Sequence, residues 1–99
     1  MNFTIENNKL TLRPAQLCST DIATVRYRFE EWLKEPWTDL CLDLTATKVV
    51  DSSGLNLMMG MVARMKGRGK MSVLAKPGLV CRTLHFTKIN EQLELIEVG

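Results

Sequence analysis

The chain has 99 residues, 45% of them apolar and 24% charged, with a formal charge of +2. That length supports one domain, residues 1–99, burying roughly 60 to 70% of the surface its unfolded form exposes. The small net charge gives no basic face for nucleic acid, and no run of about 18 apolar residues is available for membrane insertion. No signal peptide opens the chain, so the cytoplasm is the expected compartment. Cys18, Cys41 and Cys81 are far apart, odd in number and never in a C-x-x-C pair. They support neither a disulfide framework nor a zinc motif, and no metal or cofactor is expected.

Phe3-Thr4-Ile5 and Leu10-Thr11-Leu12 alternate at period two around Asn7-Asn8, which predicts a short hairpin ended by Pro14. Helix-starting Ser19, Thr20 and Asp21 then precede Ile22, Val25, Phe29, Trp32 and Leu33 at helical spacing. The helix is expected over about 20–34, with Pro36 stopping it and Trp32 in the core. The run from Leu40 to Leu44 is almost continuously apolar and predicts a central strand covered on both faces, with Cys41 buried.

After a loop from Thr45 to Val50, a second helix starts at Asp51-Ser52-Ser53-Gly54. Its expected inner stripe is Leu55, Met58, Met59, Val62 and Met65, with Met61 off the stripe and Gly67 and Gly69 breaking the helix. Met71–Ala75 predicts a strand, Pro77 a third helix with Leu79, Val80 and Leu84 inward, Asn90 a turn, and Leu93–Ile96 a closing strand. This alternation predicts an α/β fold: a mainly parallel sheet of four to five strands, an N-terminal hairpin and packed helices with right-handed crossovers. The expected core includes Leu42, Leu44, Leu55, Met58, Val62, Val73, Leu74 and Leu84.

Chemistry concentrates at the second helix start. Open α/β sheets gather their sites where strands end and helices begin. Free N–H groups and the helix dipole favour negative charge there by roughly 0.3 to 1 kcal/mol. A phosphate on Ser53 would meet those amides and add about −1.5 to −2 of charge beside Asp51. As a bare string, Asp-Ser-Ser-Gly is also an ordinary N-cap.

Leu42-Asp43-Leu44 followed by Val49-Val50-Asp51-Ser52-Ser53-Gly54-Leu55 resembles the signature of STAS domains, the anti-sigma factor antagonists and their relatives. Lys70 to Leu74, then Pro77, Val80, Leu84, Thr87, Ile89 and Leu93 through Ile96, fall at that family's spacings, and Leu17 and Ala23 through Arg26 match the start of its first helix. The resemblance implies a phosphorylation-controlled partner switch. Ser53 is then the acceptor of a serine kinase of the histidine-kinase-like ATPase class, and a PP2C-type phosphatase removes the phosphate. The unphosphorylated form binds the kinase. Asp51, Ser52, Gly54 and Leu55 would form the contact loop, with Gly54 admitting a partner's backbone. Asp21, three residues beyond the place of the family's acidic residue, is a further candidate contact, and Met61, off the α2 stripe, would be a partner anchor if exposed on the Ser53 face, core packing being the default for the helix's methionines. Two departures stand out: Ala15-Gln16-Leu17-Cys18 replaces the family's Gly-x-Leu-Asp, and the helix that follows the last strand in most relatives is not found before Gly99.

No nucleophile, base and stabiliser can be assembled into an enzyme site. The single histidine, His85, is expected to be structural or on the surface. Gly67-Arg68-Gly69-Lys70 lacks the spacing of a phosphate loop. Arg64, Lys66, Arg68 and Lys70 complement a helix C-terminus or face an acidic partner. The main alternative to the switch is an unphosphorylated accessory subunit of a lipid-transport ATPase; a nucleotide-binding module is a third.

Overall fold

Among the described residues, eight regular elements follow one another: β1 (Asn2–Glu6), β2 (Lys9–Arg13), α1 (Ser19–Leu33), β3 (Asp39–Asp43), α2 (Ser52–Met65), β4 (Met71–Ala75), α3 (Leu79–Phe86) and β5 (Glu94–Glu97), with a 3-10 turn at Ile89–Glu91. The computed structural model describes residues 2–6, 9–17, 19–35 and 38–99, with the side chains of Asn2, Ser19, Thr20, Asp21 and Asn90 left aside. The expected Asn7-Asn8 turn, Cys18, the Pro36 stop, Trp37 and the Asp21 side chain therefore lie outside the described residues.

The sheet runs β1-β2-β3-β4-β5. The first pair is an antiparallel hairpin, and the remaining three pairs are parallel. A strand order that never reverses, joined by right-handed crossovers, stacks every crossover helix on one face. Leu10, Leu12, Leu40, Leu42, Leu44, Met71 and Val73 of that face meet Val25, Phe29 and Trp32 of α1, Leu57, Met58, Met61, Val62 and Met65 of α2, and Leu84 of α3. The other face carries Thr4, Thr11, Cys41, Ser72 and Glu94 in cross-strand register. The expectation that β3 is covered on both faces is thus corrected. Cys41 is buried as expected, and it sits between Thr11 and Ser72 on the face that carries no helix.

The inner stripe of α2 is also corrected. The buried residues are Gly54, Leu57, Met58, Met61, Val62 and Met65. Met61 is 1% exposed, whereas Met59 is 45% exposed. Met61 is therefore core and does not supply a surface anchor. Leu55 packs only partly against the core, and Leu74 is half-buried. In α3, Cys81 and Leu84 point inward while Leu79 is exposed.

The helix α2 ends at Met65, and the chain reverses through Gly67 at φ +77, a left-handed conformation that side chains other than glycine's resist. The basic cluster beyond it is largely used within the chain. Arg64 pairs with Glu30 at 3.0 Å, Lys70 pairs with Glu94 at 2.6 Å, and the Arg68 guanidinium lies over the Trp32 ring and donates to the Glu35 carbonyl. These contacts weigh against the basic cluster as a free surface for an acidic partner.

Candidate functional site

The site is built by two loops that leave the same end of the sheet. Residues 14–17 follow β2, and residues 44–51 follow β3. The Leu17 N–H donates to the Val49 carbonyl at 2.8 Å, and the Asp51 N–H donates to the Leu17 carbonyl at 3.2 Å. The Lys48 N–H donates to the Ala15 carbonyl at 3.2 Å. Thr47, 7% exposed, donates its hydroxyl to the Pro14 carbonyl. Leu17 and Val50 thereby form a parallel bridge outside the main strands. Loop backbone that would otherwise be solvated is satisfied internally, which holds the start of α2 in one place.

Asp43 anchors the near end of the second loop. Its Oδ1 accepts the Thr45 N–H at 3.0 Å and the Thr45 hydroxyl at 2.7 Å, and its Oδ2 lies 3.3 Å from Arg13 Nε. Partial burial opposes the charged carboxylate. The Thr45 hydrogen bonds and the Arg13 guanidinium outweigh it and hold the Asp43 carboxyl below its ordinary value.

Asp51 is the N-cap of α2, in extended backbone at φ −102, and its Oδ1 accepts the Gly54 N–H at 3.0 Å. Gly54 is buried against Leu17. A Cβ there would stand 2.2 Å from the Leu17 carbonyl oxygen. The backbone that this glycine admits is thus the chain's own, which corrects the expected accommodation of a partner's backbone.

Between these two fixed points Ser52 and Ser53 are both exposed. Ser53 shares a shallow surface depression with Ile22, Ala23 and Arg26 of α1 and Asn56 of α2. A groove continues along the α1–α2 seam over Phe29, Leu57 and Met61, crossed by the Glu30–Arg64 ion pair. Two braced loops and a side-chain-capped helix start thus present a solvent-facing serine in a depression that Arg26 also lines.

By sequence, the chain matches no family model and no curated protein. By structure, it superposes on a Thermotoga maritima protein, TM1081, described as an anti-sigma factor antagonist, with a TM-score of 0.86 over 99% of this chain and 86% of that one, at 17% identity. The fold is that of the anti-sigma factor antagonists. A Mycobacterium paratuberculosis antagonist gives a TM-score of 0.85 at 14% identity, covering 95% of this chain and 81% of its own. The antagonist SpoIIAA in its unphosphorylated form gives 0.81 at 15% identity, covering 99% and 89%. The antagonist fold agrees with the resemblance drawn from Leu42 to Leu55.

Asp51, Ser52, Ser53 and Gly54 come together as one turn in this fold, with Leu55 half-buried behind them. Met61 is removed from the surface, and the Asp21 side chain is outside the described residues. Sequence reasoning missed Arg26 and Leu17 as parts of the site. Helical phase alone puts Arg26 on the polar side of α1; its place beside Ser53 depends on how α1 packs on α2.

Proposed function

We propose that this chain is a partner-switching regulator whose state is set by a phosphate on Ser53. The observation that carries the proposal is the exposed Ser53 on the first turn of α2, between an Asp51 cap and a Gly54 that are both tied to Leu17. The antagonist fold supports it, and one antagonist of that fold is known in a form named for its lack of phosphate. A phosphoryl group on Ser53 Oγ adds about −1.5 to −2 of charge at a helix start. The helix dipole and Arg26 oppose that charge, so the fold tolerates it, while the surface a partner meets is changed.

In this scheme the unphosphorylated face binds a serine kinase of the histidine-kinase-like ATPase class. The kinase transfers a phosphoryl group to Ser53 and is released, and a PP2C-type phosphatase resets the switch. The chain acts by binding proteins and performs no catalysis of its own. Ser52 and the exposed edge of Leu55 flank the acceptor and belong to the same contact surface; Asp21 is assigned to it only as the acidic residue three positions beyond the family's acidic place. Incubation with such a kinase and ATP, followed by phosphopeptide mapping, should place one phosphate on Ser53. A phosphate on Ser52 would put the acceptor one residue out of register. No phosphate at all, combined with capture by a lipid-transport ATPase, would favour the accessory-subunit role instead.

A further inference from the structure

A second cluster of reactive groups lies away from Ser53, where α3 meets β5. Cys81 and His85 are four residues apart on α3, a spacing that puts both side chains on one face of a helix. Glu97 ends β5 and pairs with Ala75 of β4, so its side chain leaves the sheet on the helix-covered face. The Cys81 thiol donates to Glu97 Oε1 across 2.9 Å. One ligand atom from each of Cys81, His85 and Glu97 lies within 4.8 Å of the other two. Cys81 is buried, whereas His85 and Glu97 are exposed, so the cluster opens to solvent on one side.

We propose that Cys81, His85 and Glu97 form a zinc-binding site that ties α3 to the edge strand β5. The donor set is what selects the metal. Sulfur, imidazole nitrogen and a single carboxylate oxygen suit zinc, whereas calcium and magnesium want oxygen ligands only. Zinc–ligand lengths of about 2.0 to 2.3 Å separate tetrahedral donors by roughly 3.3 to 3.8 Å, within reach of small side-chain rotations from the present spread. Three protein ligands leave the fourth position to water. On binding, the Cys81 sulfur exchanges its proton for the metal, the proton goes to solvent, and Glu97 exchanges the thiol hydrogen bond for a metal–oxygen bond. No electron transfer is involved. The site is independent of Ser53, and its outcome does not bear on the phosphorylation switch.

The test uses the whole 99-residue chain, reduced and stripped of metal with a chelator. It is titrated with zinc ions against a chromophoric competitor and with cobalt(II) ions by absorption. One metal per chain is expected, with a thiolate-to-cobalt charge-transfer band and the visible bands of tetrahedral cobalt. Zinc at a hundredfold excess over its Kd should raise the melting temperature by about 10 °C or more. His85→Ala and Glu97→Gln change exposed groups, and each should weaken zinc binding at least about tenfold with the fold retained. Cys81→Ala should abolish the charge-transfer band. Absence of saturation at one metal per chain would overturn the site, as would unchanged binding by His85→Ala and Glu97→Gln. A charge-transfer band that survives in Cys81→Ala would also overturn it, by placing the metal on another cysteine. Should Cys81→Ala fail to fold, the two exposed variants decide.

Discussion

The starts of α2 and α3 occupy equivalent places, each following a parallel strand, yet they are built differently. At α2 the cap is Asp51, whose carboxylate accepts the Gly54 N–H, and the preceding loop is stitched to residues 15–17 by backbone hydrogen bonds. At α3 the cap is Gly78 at φ +146 with no side-chain hydrogen bond, and the first helical residue, Leu79, is 69% exposed. A helix start needs only a cap to stop fraying. The extra bracing at α2 therefore goes beyond what folding a helix requires, and it surrounds an exposed serine. The same position in a repeated topology becomes a candidate site only where local chemistry and neighbouring loops fix it.

The largest expected effect breaks the comparison at Ser53. Ser53→Asp should fold and lose kinase binding by about 2 to 5 kcal/mol, because a charge enters a desolvated contact beside Asp51. Ser53→Ala should bind persistently. Calorimetry on both variants, checked by circular dichroism, decides; equal binding by the two folded proteins would remove the switch from this residue.

Gly54 tests the brace itself. Gly54→Ala drives a Cβ to 2.2 Å from the Leu17 carbonyl oxygen and should destabilise the fold by about 1 to 3 kcal/mol. Gly60, in the same helix, has open space at its Cβ position, and Gly60→Ala should stabilise by about 0.5 to 1 kcal/mol. Thermal unfolding of the pair should give shifts of opposite sign. Removing the Asp51 cap makes α2 start as α3 does, and Asp51→Ala should cost about 0.5 to 2 kcal/mol in denaturant unfolding.

An effect of about the same modest size concerns Asp43, which holds the loop leading to the site. Its folded-state pKa lies below the ordinary 3.8, so its stabilising contribution is complete above that value and is lost as pH falls through the lowered pKa. Asp43→Asn should cost about 1 kcal/mol at neutral pH. The gap between variant and wild type should close in acid, below about pH 4, when both are unfolded by urea. A gap that stays constant with pH would show that Asp43 does not act through its charge.

Local signals in the chain were sufficient for the order of elements, the N-terminal hairpin and a capped α2 start within Asp51–Gly54; the structure assigns the cap to Asp51. Helical spacing, strand alternation and cap chemistry are properties of neighbours in sequence. The phase of α2 was not legible in this way. Leu55, Leu57, Met58, Met59, Met61, Val62 and Met65 put apolar groups on most sides of the helix, so more than one stripe satisfies the period. The face that packs is the one on which Gly54 approaches Leu17, and it includes Met61 and leaves Met59 exposed.

By itself, then, the sequence determined an α/β alternation and a serine-bearing helix start, since both are written in residues close together along the chain. Tertiary structure alone decided that one sheet face is left without helices, because that depends on a strand order that never reverses. It also brought Arg26 and Ser53 to one surface depression, and it closed Glu97 onto Cys81 across 16 residues of chain. Such meetings depend on which surfaces pack together, and a spacing rule reads only along one element at a time.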